Sequence, residues 1–138
     1  MKRKNFLLIV LLVAGTTLFS SCKKEAQIER NLWSNGGQWN IETATYKYDD
    51  INSTDYNCGF FTFKKDGSGN VIFTNDDDGG IFTYSNTENN ITFIIDGDLL
   101  NFNILSWEKN NMTIYYVDTY EDEYGYSTYK TTYVLKKK

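Results

Sequence analysis

Beyond residue 37 the apolar and polar positions of this chain alternate. Phe61 and Phe63 flank Thr62, and Leu100, Phe102 and Ile104 flank Asn101 and Asn103. A period of two puts every second side chain on one face of an extended strand. Clusters of Gly, Asn and Asp cut the alternation into eight runs: Gln38–Tyr48, Gly59–Lys65, Asn70–Asn75, Ile81–Ser85, Ile91–Asp96, Leu99–Trp107, Met112–Tyr120 and Ser127–Lys136. Asp66-Gly67-Ser68-Gly69 is the strongest hairpin turn, because Asp-Gly accommodates the positive φ angles of a tight turn. Gly97-Asp98 and Asn110-Asn111 are similar signals. The chain has no proline, so no ladder loses an N–H donor. No helical period is sustained after residue 40. Before it, Ile28, Leu32 and Trp33 share one side of Ala26–Trp33, which predicts one or two helical turns. Asn35-Gly36-Gly37 then ends the helix and launches the first strand.

Extending the parity gives an inner set running from Trp39 and Ile41, through Phe61, Phe63, Val71, Phe73, Phe82, Tyr84, Ile91, Phe93, Ile95, Leu100, Phe102 and Ile104, to Met112, Ile114, Tyr116, Tyr129, Tyr133 and Leu135. Eight sequential strands with one apolar face can close on themselves, which removes exposed edges. The expected fold is therefore all-β: an eight-stranded antiparallel up-and-down barrel preceded by a short helical turn. Phe60, Ile72, Ile94, Leu99 and Trp107 fall on the opposite, outward face.

The first 21 residues have a different pattern. Met1-Lys2-Arg3-Lys4 precedes an unbroken apolar run from Phe6 to Ala14, which is too short to span a bilayer. Basic start, short apolar core and small residues define an export signal. Leu18-Phe19-Ser20-Ser21-Cys22 resembles a bacterial lipobox, in which the cysteine is lipidated and becomes the new N-terminus, with phenylalanine in place of the usual leucine. The chain thus divides into a signal peptide (1–21), a lipidated tether with the short helical turn (22–35) and a barrel domain (36–138). Lys23 after the cysteine, by resemblance to other Gram-negative lipoproteins, points to the outer membrane.

Loss of residues 1–21 would leave eleven basic and 18 acidic side chains, moving the formal charge from −4 to −7. Such an acidic chain lacks the clustered Lys and Arg that phosphate recognition requires, so nucleic acid is not an expected partner. Attachment to membrane must then come from acyl chains, of which two or more hold firmly. With Cys22 lipidated, Cys58 has no partner in the chain and is expected to be a buried, inert thiol.

Gly37-Gln38-Trp39 opens the first strand, with a helical turn before it and a meander of eight strands after it. This combination resembles the lipocalin family, and the stretch after the signal is similar to the short lipocalin-like domain of bacterial lipoproteins. The resemblance implies that Gly37 and Trp39 close the bottom of the barrel. It also implies a basic residue of the last strand packed on Trp39, for which Lys136 is the candidate, and a small hydrophobic ligand in the lumen. Thr54-Asp55-Tyr56 spells another lipocalin motif but lies between the first two strands, and the chain stops without the family's usual terminal helix.

Catalytic chemistry is not legible. The chain has no histidine, which removes Ser-His-Asp and Cys-His sites and histidine-bound metal. Counting an EF-hand from Thr74 puts Ser85 where the twelfth-position glutamate belongs. Neither enzyme activity, metal nor cofactor is expected. An up-and-down barrel does gather alternate loops at one end, and those loops hold 11 of the 18 acids, among them Asp76, Asp77, Asp78, Glu121, Asp122 and Glu123. The other end has Asp66, Glu88 and Glu108 beside Lys64, Lys65 and Lys109. Acids in loops ordinarily serve solubility. Read as a site, the rim comprises Tyr56, Asp76, Asp78, Glu121, Asp122, Tyr124 and Tyr126, suited to a cation through charge and cation–π contact. The functional expectation is a monomeric, membrane-anchored, non-catalytic binding protein for a small hydrophobic or cationic ligand. The alternative is an envelope lipoprotein with a filled barrel that docks to a protein partner.

Overall fold

The computed structural model describes residues 23–74 and 79–138. The stretch read as a signal peptide, Cys22, Asp76, Asp77 and Asp78 lie outside the described residues. A helix, α1 (23–33), leads into eight strands: β1 (Gln38–Tyr48), β2 (Ile51–Phe63), β3 (Ser68–Phe73), β4 (Gly79–Asn86), β5 (Asn90–Ile95), β6 (Asp98–Trp107), β7 (Asn111–Asp122) and β8 (Gly125–Lys137). Each strand pairs antiparallel with its neighbour in sequence, and β8 pairs with β1 to close the barrel. This is the eight-stranded up-and-down barrel that the alternation predicts.

The inner face carries the expected side chains. Trp39, Ile41, Phe63, Phe82, Ile91, Phe93, Met112, Ile114 and Leu135 are all buried. The rings of Phe61, Phe63, Phe82, Phe93, Phe102 and Tyr133 form one connected cluster, with neighbouring centroids 4.9–6.2 Å apart. Several pairs meet edge to face, the arrangement that ring quadrupoles favour. These rings occupy the lumen where a barrel ligand would lie.

Helix α1 stoppers one end. It begins at Lys23, so the segment read as a tether before Ala26 is already helical. Ile28 and Leu32 are fully buried against the barrel. Asn31 and Asn86 tie the helix to the turns of that end, donating to the Glu108 and Glu25 carbonyls at 3.1 Å each. Asn35, Gly36 and Gly37 all have positive φ, which ends the helix and turns the chain into β1. Gly37 is the tightest position: an added Cβ would lie 2.0 Å from the Phe63 carbonyl oxygen, and Phe63 N–H donates to Gly37 O at 2.8 Å.

The base of the barrel corrects the expected basic partner. Lys136 points outward, 3.9 Å from Glu42. Lys137 is the residue opposite Trp39 in the β1–β8 register, and its ammonium lies 5.2 Å from the Trp39 ring centre. Its Nζ also donates to the Asn31 carbonyl and, at 2.8 Å, to Ser34 Oγ. Trp39 Nε1 donates to Leu32 O at 3.1 Å, so the closure is hydrogen-bonded throughout. Burial lowers the Lys137 pKa, with the neighbouring Lys109 charge acting in the same direction.

Two bulges displace the parity. One lies between Ile41 and Thr43, and it brings Ala44 inside and packs Tyr46 against the core. The other, between Ile104 and Ser106, turns Trp107 toward the core rather than outward and leaves Leu105 exposed.

Candidate functional site

The ends of the barrel differ in height. Strands β1, β2, β7 and β8 have 11, 13, 12 and 13 residues, whereas β3 and β5 have 6 each. The extra length lies at the end opposite α1. Pairing of β2 with β3 reaches Gly59↔Phe73, but β2 continues beside β1 as far as Tyr48↔Ile51. Pairing of β6 with β7 starts from Asn103↔Tyr115, but β7 continues beside β8 to Asp122↔Gly125. A four-stranded wall, ordered β2-β1-β8-β7, therefore rises above the shorter strands.

Residues paired across a ladder share a face, so the register assigns the inner surface of this wall row by row. Ala44, Asp55, Tyr133 and Ile114 form the lowest row. Tyr46, Ser53, Thr131 and Tyr116 come next, then Tyr48, Ile51, Tyr129 and Asp118, with Tyr120 and Ser127 near the top. Six of the eleven tyrosines are on this one surface. Tyr48 and Tyr120 stack at 6.3 Å, and Tyr129 lies 6.3 Å from Tyr48 and 6.4 Å from Tyr46. Tyr48 Oη donates to Ser127 Oγ at 3.4 Å.

The electrostatics grade from dry to wet along the wall. Burial pushes the Tyr133 hydroxyl far above the ordinary phenol range and raises Tyr46, with the Asp55 carboxylate contributing at Tyr46. Burial likewise raises the Cys58 thiol, with Asp55 adding to the effect. Cys58 is only 4% exposed, so it is a weak nucleophile in a closed place. Tyr120, at the exposed top, is raised chiefly by the neighbouring Tyr48 hydroxyl. The surface thus offers polarised aromatic faces and two carboxylates, Asp55 and Asp118. That arrangement can hold a cation or stack on a flat group. Among the described residues, no group of three or more Cys, Asp or Glu is placed to hold a metal ion.

The rim residues read from sequence are only partly brought together. Glu121, Asp122 and Tyr124 sit at the tip of the β7–β8 hairpin, where Tyr124 N–H donates to Asp122 Oδ1 at 2.8 Å. Tyr126 pairs with Glu121 and Tyr56 with Thr43, one position out of phase with the inner rows, so both stand on the outer side of the wall. Asp76 and Asp78 lie outside the described residues. Tyr46, Tyr48, Tyr120, Asp55 and Asp118 were not anticipated as a group. Residues 51–58, read as a loop, belong to β2, and that strand is what aligns Asp55 with the tyrosines. The alternation Tyr116-x-Asp118-x-Tyr120 was the available signal.

A scan against protein-family models and a search of curated proteins find no match to this chain. The architecture itself, a closed eight-stranded antiparallel barrel with a helix before β1, is compatible with a lipocalin-like barrel.

Proposed function

We propose that this chain is a non-catalytic binding protein of lipocalin-like type, exported and held on a bacterial envelope membrane by lipid on Cys22. In this reading it receives a cationic ligand at the barrel mouth. The observation that carries it is the tyrosine-lined inner face of the tall wall, with Asp55 and Asp118 on the same surface. Phenol rings attract cations through their quadrupole, and nearby carboxylates add Coulomb attraction. Aromatic rings fill the lumen, which favours a ligand on the mouth over one inside the barrel. The same filling supports the second reading, a docking lipoprotein whose partner is a protein.

The polarity of the barrel fits such an anchor. Helix α1 starts one residue after Cys22 and sits at the closed end, so lipid on Cys22 would leave the mouth facing away from the membrane. Titration of the full-length protein in detergent with tetramethylammonium and spermidine, followed by tyrosine fluorescence, tests the reading. Binding that weakens with salt is expected, because exposed charges are screened over about 8 Å at physiological ionic strength. The combined variant Tyr48→Ala, Tyr120→Ala, Tyr129→Ala should lose it. Unchanged binding in that variant, or no binding by the parent protein, overturns the proposal.

A further inference from the structure

The tall wall has an edge as well as a face. From Tyr116 to Asp122, β7 pairs with β8 on one side, and among the described residues no strand pairs on its other side. Across the cleft, Asp98–Phe102 of β6 pairs with β5 alone. The mouth is therefore split between β6 and β7 above the Phe102–Tyr116 ring contact at 5.5 Å, and both lips of the split are strand edges with no ladder partner on that side among the described residues.

The charges on these lips have one sign. Asp118 and Asp122 lie on the inner side of β7, with Glu121 between them on its outer side, Asp98 starts β6, and Asp96 is in the turn before it. Lys130, the nearest cation in the register, pairs with Val117 on the outer face and lies 4.6 Å over the Tyr115 ring. It does not neutralise the inner side. An edge lined with acids repels a second copy of itself, a common guard against edge-to-edge association. The same guard is complementary to a strand that carries lysine or arginine. Tyr116 and Tyr120 alternate with Val117 along the edge, so an added strand would send every second side chain over the tyrosine surface.

We propose that the β6–β7 cleft binds an extended, basic polypeptide segment, which adds to β7 as a strand and lays its cationic side chains on Tyr48, Tyr120 and Tyr129. This rests on the mouth being a cation-binding face and names its ligand class. Main-chain pairing supplies affinity and the alternating side chains supply selection, as in other strand-addition sites. Seven edge residues correspond to roughly 23 Å of strand.

Three probes test it on the full-length protein in detergent: a decapeptide alternating lysine and threonine, the same peptide N-methylated at every second residue, and spermidine. N-methylation keeps the charge and removes the donors that strand pairing needs. The plain peptide should bind at least about tenfold more tightly than its N-methylated form. It should also protect amides of Tyr116–Asp122 from hydrogen exchange, and lose affinity in the double variant Asp118→Lys, Asp122→Lys. Equal binding of both peptides overturns strand addition while leaving the cationic mouth intact, as does binding of spermidine but of neither peptide. Failure of all three probes overturns both proposals.

Discussion

At the closed end, helix α1 buries Ile28 and Leu32 and the turns Lys64–Gly67, Thr87–Asn89 and Glu108–Asn110 are short. At the open end, β1, β2, β7 and β8 run past their neighbours, leaving Tyr120 at 43% and Ile51 at 69% exposed. Hydrogen bonding follows the same division. Lys137, Trp39, Asn31 and Asn86 at the base all find partners, whereas the upper halves of β2 and β7 have, among the described residues, a strand on one side only. Charge divides too. Of the eleven lysines and arginines after Cys22, only Lys47 and Lys130 lie away from α1, the closed-end turns and the end of β8. One end invests its side chains in folding. The other leaves aromatic surface exposed and strand edges without a ladder partner among the described residues.

If this division holds, substitutions at the two ends should separate stability from binding. The largest effect belongs to the rings that fill the barrel toward its closed end. Phe63 and Phe93 are each 1% exposed, and each contacts several other rings. Phe63→Ala or Phe93→Ala should each cost about 3–5 kcal/mol in denaturant unfolding, a transfer loss plus a cavity. A cost under about 1 kcal/mol at both would mean that the rings do not pack as described.

Gly37→Ala comes next. The residue has φ +66° and no space for a Cβ beside the Phe63 carbonyl, so both backbone strain and overpacking oppose alanine. A loss of about 1–3 kcal/mol is expected, measured the same way, with cation binding at the mouth unchanged. Loss of mouth binding in a folded Gly37→Ala protein would show that the two ends are coupled.

Alkaline pH provides a third, milder test of the closed end. Tyr84 donates its hydroxyl to Lys64 O at 2.6 Å, and burial, with the Glu29 and Asp66 charges adding, pushes its pKa up to about 12 from 10.0. Between those values the unfolded chain has released the proton and the folded chain has not. Stability is therefore fully present below pH 10 and falls as pH rises toward 12. Lys137 acts oppositely, because burial lowers its pKa from 10.5 and the unfolded chain is the one that holds the proton longer. Melting temperature followed from pH 9 to 12 should decline, with the raised Tyr133 and Tyr46 acting in the same direction, and Tyr84→Phe should make the decline shallower. A Tyr84→Phe curve parallel to the parent's would remove Tyr84 as the cause.

The legibility of the sequence follows the same divide. Near the closed end, strands are half-buried, so apolar residues must alternate; β1, which runs from the closed end up into the wall, is readable from Gln38 to Tyr48 with no error in its bounds. Bulges defeat the parity because nothing marks them: Glu42 and Leu105 are ordinary residues at positions where the register shifts. Residues 51–58, Ile-Asn-Ser-Thr-Asp-Tyr-Asn-Cys, have the composition of a loop, and they are a strand because β1 provides the template. Tertiary pairing overrides weak local preference there. Lys136 and Lys137 are indistinguishable by composition, and only the register with Trp39 separates them.

The smallest expected change in stability, and the largest in binding, is at the top of the wall. Tyr48 and Tyr120 stack at 6.3 Å in a half-exposed setting, where such a pair contributes about 0.5–1.5 kcal/mol beyond its buried area. Tyr48→Ala with Tyr120→Ala should therefore lower stability far less than one phenylalanine at the base. The same pair of substitutions removes two of the faces on which a cationic side chain would rest, so affinity for the lysine–threonine peptide should fall at least about tenfold. Phenylalanine at both positions keeps the rings and deletes the Tyr48 hydrogen bond to Ser127, so it should retain most of the affinity. If the double alanine variant loses stability as Phe93→Ala does, the tyrosines are core in disguise. If phenylalanine abolishes binding as fully as alanine, the hydroxyls and not the ring faces do the recognising, and the mouth selects hydrogen-bonding groups over charge.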